Sequence, residues 1–174
     1  MARYRHYHHF GEGGDTVFIT TKCLDFAHLL QRSEIRERVV ERIWSDCAYY
    51  GAILQAYVVM SNHMHLVVRL PEHRNSGWFM QRLKKNCTNE LLPLLTPEEI
   101  ALVQHQQGLD GRQFWERSYD SLVLRTESIF GQKVRYIHTN PVRACLVENE
   151  ADYRWSSASA YQNGLWEPEN GLRR

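Results

Sequence analysis

The sequence predicts an α+β fold, a small antiparallel sheet with helices packed mainly on one face. Three observations lead there. Segments of β-branched and aromatic residues alternate with helix-periodic segments in the order β α β β α β α. The middle two strand segments are separated only by Met60, Ser61 and Asn62, a spacing suited to a tight antiparallel hairpin. At 174 residues, 43% hydrophobic and 24% charged, the chain has the size and composition of one ordinary domain.

The first strand is Thr16 to Thr21 (TVFITT), set off by the breaker cluster Gly11 to Asp15. Ser33 is placed to cap a helix in which Ile35, Val39, Val40, Ile43, Trp44 and Cys47 recur on one face and Gly51 supplies the C-terminal cap. Ile53 to Val59 and His63 to Leu70 form the hairpin, which Pro71 ends. A second helix spans about Ser76 to Leu92, with Phe79, Leu83, Cys87 and Leu91 inward and a basic edge of Arg82, Lys84 and Lys85. Thr96 to Gln107 reads as a short helix or an ordered excursion. Phe114 to Leu124 has the content of a fourth strand. Thr126 then caps a third helix carrying Ile129, Phe130, Val134 and Ile137, which Pro141 closes or kinks.

Charge is nearly balanced, with 21 Lys+Arg against 20 Asp+Glu, but unevenly placed. Five basic residues face one acid between Arg69 and Lys85, and six face three acids between Arg112 and Arg143. No run approaches about 18 apolar residues and the start is polar and aromatic, so a cytoplasmic protein with no membrane partner is expected. Cys23, Cys47, Cys87 and Cys145 form no CxxC pair, and buried thiols are expected rather than a zinc ribbon or disulfides.

In His63-Met64-His65-Leu66-Val67-Val68, strand alternation puts His63, His65, Val67 and Arg69 on one face and Met64, Leu66, Val68 and Leu70 on the other. Two parallel imidazoles on a rigid strand can chelate one cation, although a bare pair of this kind is also a common surface feature. On the third helix, Lys133, Tyr136 and Asn140 share a face beside the apolar stripe, so a phenol, an amide oxygen and an ammonium can act together. A neutral phenol is a poor nucleophile without a nearby cation or base and an electrophilic target. A divalent cation on His63, His65 and Asn140 would provide that target by binding a phosphodiester oxygen. The mixed nitrogen and oxygen set suits Mg²⁺ or Mn²⁺ better than structural zinc.

Val59-Met60-Ser61-Asn62-His63-Met64-His65-Leu66 resembles the HUH motif (His, bulky hydrophobe, His) of the single-tyrosine HUH transposases. Tyr136-Ile137-His138-Thr139-Asn140-Pro141-Val142-Arg143-Ala144, followed by Leu146-Val147 and Asp152-Tyr153-Arg154-Trp155-Ser156-Ser157, resembles the REP-associated tyrosine transposases in particular. The match runs from the first strand to about Tyr161. It implies a ferredoxin-like fold in which His63, His65 and Asn140 hold the metal and Tyr136 attacks single-stranded DNA, leaving a 5′-phosphotyrosine and a free 3′-OH. It departs from the family at Ser121, where a histidine is usual, and at Cys145, which replaces a glycine expected to have a left-handed backbone.

The expected activity is therefore metal-dependent strand transfer on DNA beside a hairpin or short palindrome, by a monomer or homodimer. Arg82, Lys84, Lys85, Arg125, Lys133 and Arg143 are the candidate DNA contacts, and Trp78 and Tyr119 candidate stacking residues. The rivals are a domesticated hairpin-binding protein that does not cut and a metal-dependent phosphoesterase using the histidines alone.

Overall fold

In the computed structural model the described residues are 11–104 and 113–173. Arg112 and the end of the Thr96 to Gln107 stretch lie outside them. A four-stranded antiparallel sheet has the order β2-β3-β1-β4, built from β1 (Thr16–Lys22), β2 (Ile53–Val59), β3 (His63–Arg69) and β4 (Asp120–Val123). The helices are α1 (Ser33–Tyr50), α2 (Ser76–Leu91), α3 (Pro97–Gln104), α4 (Glu127–Arg143) and α5 (Ala158–Gln162), and a small ribbon of β5 (Trp166–Glu167) and β6 (Gly171–Leu172) follows.

Two of the three long helices, α1 and α2, pack on one face, against Val17, Ile19, Met64, Leu66 and Val68, through Ile35, Val39, Ile43, Phe79, Leu83 and Cys87. The third, α4, takes the opposite face, where Val134 and Ile137 meet Phe18, Ala56, Val58 and Val67. Strand alternation explains the division, since Val67 and Val68 on consecutive positions of β3 feed different clusters.

Several boundaries differ from the sequence reading. Helix α1 is entered from Arg32 without a side-chain cap, so Ser33 is its first residue and not its N-cap; Gly51 does close it, with φ 72°. Thr126 caps α4 as expected, its Oγ1 accepting from the Ile129 N–H at 3.2 Å. Pro141 neither ends nor interrupts α4, because it lies in the last turn, where only one backbone bond is forfeited. The fourth strand is shorter than Phe114 to Leu124: Phe114 and Trp115 are buried in the core, and only Trp115 bridges back, to Cys23. Cys145 is exposed, correcting the expectation of four buried thiols, and it has the left-handed backbone, φ 55°.

Edge strand β2 is covered by the chain after α4. The Val59 N–H donates to the Trp155 carbonyl at 2.9 Å and the Ser157 N–H to the Tyr57 carbonyl at 3.0 Å, which satisfies backbone groups that an open edge would leave free. Among the described residues no helix is long and apolar enough to cross a membrane.

Candidate active site

The pairing of β1 with β3 sets His65 opposite Thr20 and His63 opposite Lys22, near the end of the sheet. Helix α4 lies over the same face. His65 consequently sits inside a ring cluster: His63 at 4.8 Å and Tyr136 at 5.2 Å between centroids, both edge-on, and Phe18 stacked at 5.5 Å. The face assignment made from strand alternation holds, and the tyrosine helix covers the histidine face.

Each imidazole is held by Nδ1. Asn62 Oδ1, which can only accept, is 2.7 Å from His63 Nδ1 and so receives its proton. Thr20 Oγ1 is 2.8 Å from His65 Nδ1. The His65 Nε2 is buried with no hydrogen-bond partner. Burial holds the His63 ring at a pKa of about 4, with Lys22 and His28 adding to the effect. Burial, together with His63, Lys133 and Lys22, pushes His65 well below the usual histidine range. Both rings are therefore neutral at pH 7, the form that ligates metals.

This donor set fits a divalent cation. A buried imidazole nitrogen without a partner carries a desolvation cost of about 1–3 kcal/mol that a bound cation would remove. Nδ1 tethers of this kind are what orient ligating histidines. Among the described residues no third His, Cys, Asp or Glu completes a cluster. Any further protein ligand among them must then be of another kind; Asn140, the candidate from the sequence, is half-buried on α4 one turn beyond Tyr136.

Two cations flank the phenol. Lys133 Nζ is 5.7 Å from the Tyr136 ring centroid and 4.7 Å from that of Phe18, and the Arg143 guanidinium is 5.7 Å from Tyr136. The other candidate DNA contacts are elsewhere. Arg125 is exposed in the turn before α4, whereas Arg82 and Lys85 are exposed on α2, across the sheet from Tyr136. Lys84 is not free for phosphate in the way the sequence suggests. Its ammonium donates to the carbonyls of Glu116 and Ser118 at 2.8 and 2.9 Å, and burial holds its pKa at about 8. It shares a cleft of about 480 Å³ with Lys85, Trp115, Arg117 and Tyr119. Trp78 is partly buried against the core with Arg74 and Arg82 over its ring, and Tyr119 bonds Ser76 at 3.1 Å, so both side chains already have packing partners.

The family model of the IS200-like transposases matches residues 27–140, about two thirds of the chain and including both the histidine strand and the tyrosine helix. The chain belongs to this family. The chain is 27% identical over 118 residues to a Haemophilus influenzae protein named as a REP-associated tyrosine transposase, covering 64% of this chain and 61% of that one. It therefore spans about three fifths of that relative's length. Its fold is that of a solved REP-associated tyrosine transposase bound to a REP hairpin, with a TM-score of 0.69 at 21% identity over 100% of this chain and 99% of the other. A crystal structure described as a transposase, from Deinococcus radiodurans, aligns with a TM-score of 0.51 at 19% identity over 79% and 95% of the two chains.

Sequence reasoning missed the residues that hold α4, the helix of Tyr136, in place. His138, on α4 between Tyr136 and Asn140, is buried, and its Nε2 is 2.8 Å from Ser157 Oγ. Ser157 Oγ in turn accepts from the Tyr57 N–H at 3.0 Å and donates to the Tyr57 carbonyl at 3.3 Å. The serine's one proton goes to that carbonyl, so His138 Nε2–H is the donor to Ser157, and α4 is tied to β2 through it. Tyr153 adds an O–H bond to the Val59 carbonyl at 3.0 Å. The Asp152 to Ser157 run was noticed in the sequence, but nothing local signals that it straps the helix to an edge strand.

Proposed function

We propose that this chain is a metal-dependent DNA strand transferase that binds a DNA hairpin and cleaves and rejoins an adjacent single strand through Tyr136. The observation that carries this reading is the partnerless Nε2 of buried His65 beside the Tyr136 ring, in a chain of a transposase family.

His63, His65 and Asn140 would hold Mg²⁺ or Mn²⁺, which when bound supplies Lewis-acid polarisation of the scissile phosphate. Tyr136 Oη attacks phosphorus. The bond from phosphorus to the 3′ oxygen breaks, and that oxygen takes a proton to leave a free 3′-OH and a 5′-phosphotyrosine. Lys133 and Arg143, on the two flanks of the phenol, offset charge that develops there. Phe18, stacked on His65, and the strap from His138 to Ser157 keep the nucleophile from drifting off the histidines. Because the phosphotyrosine is itself a phosphodiester, a 3′-OH held nearby reverses the step without an external energy source. Arg82, Lys85 and Arg125 lie away from this centre and are assigned to the hairpin backbone. Lys84 is assigned to holding the Glu116 to Ser118 carbonyls. The hairpin-bound structural relative is consistent with such a partner. Tyr136 lies beside His65 of the same chain, which favours a centre built within one subunit, whether the protein is a monomer or a homodimer.

The test is a labelled single strand carrying a hairpin, incubated with the protein and Mn²⁺ and run on a denaturing gel. A protease-sensitive covalent adduct is expected with the wild type and none with Tyr136→Phe, whose hairpin affinity should remain within about tenfold. Two strands of different length should yield recombinant lengths. Hydrolysis that persists in Tyr136→Phe would overturn the reading.

A further inference from the structure

The turn between β1 and α1 is strained. Asp25 and Phe26 are consecutive non-glycine residues with φ of 50° and 56°, a conformation that disfavours any residue with a Cβ. Strain persists only where the surroundings impose it, and here they do. The Cys23 N–H donates to the Asn62 carbonyl at 2.8 Å, the Leu24 N–H to the Phe114 carbonyl at 3.0 Å and the Phe26 N–H to the Cys23 carbonyl at 3.1 Å. The Asp25 N–H donates to Glu116 Oε1 at 2.9 Å.

All this restraint presents an apolar ring to water. Phe26 is 56% exposed, and its ring makes no part of either core. Its one ring partner among the described residues is Lys22, whose ammonium is 4.8 Å from the centroid. Lys22 is the residue of β1 paired with His63. A single carboxamide joins the turn to the candidate metal centre: Asn62 Nδ2 donates to the Phe26 carbonyl at 3.4 Å while Asn62 Oδ1 accepts from His63 Nδ1. An exposed aromatic ring with a cation against it is the arrangement by which proteins hold single-stranded nucleic acid, the ring stacking on a base and the ammonium meeting its phosphate.

From this we infer that Phe26 and Lys22 form a nucleotide-binding subsite beside the histidine pair, with Phe26 stacking on an unpaired base next to the scissile phosphate and Lys22 meeting its backbone. The inference rests on the single-strand cleavage reading above and adds to it the seat of one base. Substrate stacking accounts for a strained phenylalanine where glycine would be the relaxed choice.

Phe26→Gly therefore separates the roles. In the Tyr136→Phe background with Mn²⁺, hairpin strands carrying 2-aminopurine at each unpaired position in turn should reveal one position whose fluorescence is quenched on binding. Phe26→Gly should abolish that quenching and weaken binding about tenfold, Phe26→Tyr should preserve both, and the melting temperature of Phe26→Gly should rise. Unchanged quenching and affinity in Phe26→Gly, or a melting temperature that does not rise, would overturn the subsite. If the nucleophile-intact Phe26→Gly chain still forms the covalent adduct at saturating DNA in such a case, the strand-transfer reading stands by itself. A wild-type chain that neither binds the strand nor forms the adduct would overturn both.

Discussion

Two buried polar groups on opposite sides of the sheet meet different fates. Asp46, on α1 where it faces α2, is 1% exposed, and His65, on β3 under α4, is 4% exposed. Both oxygens of Asp46 are used: Asn86 Nδ2 donates to each at 3.0 Å and Arg42 Nη1 to one at 3.0 Å. Asn86 also reaches the Tyr50 hydroxyl and Arg42 bonds Glu90, so the carboxylate is fully partnered, although Arg42 Nε is itself buried without a partner. His65 has one partner, Thr20, and an orphaned Nε2. A buried polar group with its partners supplied specifies packing; His65 differs from the other partnerless buried atoms in being an imidazole beside a second imidazole, a pair that a cation can use.

The sharpest way to break that contrast is to remove each group. His65→Ala should lower Mn²⁺ affinity at least a hundredfold and abolish adduct formation while leaving the protein folded, as measured by calorimetric titration and gel assay. Asp46→Ala should do the converse, leaving metal binding intact and costing about 2 kcal/mol in denaturant unfolding, because Arg42 and Asn86 lose a charged partner. Equal metal affinity in His65→Ala would place the cation elsewhere.

Lys84 tests an intermediate case, a cation that is partnered yet desolvated. Its folded pKa of about 8 lies below the usual lysine value of 10.5, so between these values the unfolded chain binds the extra proton. Stability relative to Lys84→Met should then rise as pH increases from about 8 to 10.5, by up to about 3 kcal/mol, and stay level below pH 8. A flat difference curve in urea unfolding would show that the ammonium is not desolvated.

Thr20→Val keeps the shape beside His65 and removes the Nδ1 tether, so Mn²⁺ affinity should fall about tenfold with the melting temperature nearly unchanged. The smallest effect is expected at Cys145, whose exposed side chain and φ of 55° mean that Cys145→Gly should stabilise the fold by about 1 kcal/mol without touching cleavage. A loss of stability there would mean that the thiol makes a contact that offsets the strain.

Much of this was legible from residue order. Period-two alternation put His63 and His65 on one face of β3, and helical spacing put Lys133, Tyr136 and Asn140 on one face of α4, because each geometry repeats along a single element. The resemblance supplied the link between the two faces, which spacing could not, since neither element carries a mark of its partner. Long-range pairing was not legible at all. That α4 goes to the face opposite α1 and α2, that Asp152 to Ser157 closes the β2 edge, and that His138 holds α4 through Ser157 depend on contacts between residues 19 to 100 positions apart. The same reason hid Phe26: its turn is held by hydrogen bonds from Asn62 Nδ2 to the Phe26 carbonyl and from the Asp25 N–H to Glu116, and nothing in Leu24 to Ala27 itself requires a left-handed turn. By itself the sequence determined which side chains share a face. Only the tertiary structure decided which faces meet, because that choice is made by burial and hydrogen bonding between elements far apart in the chain.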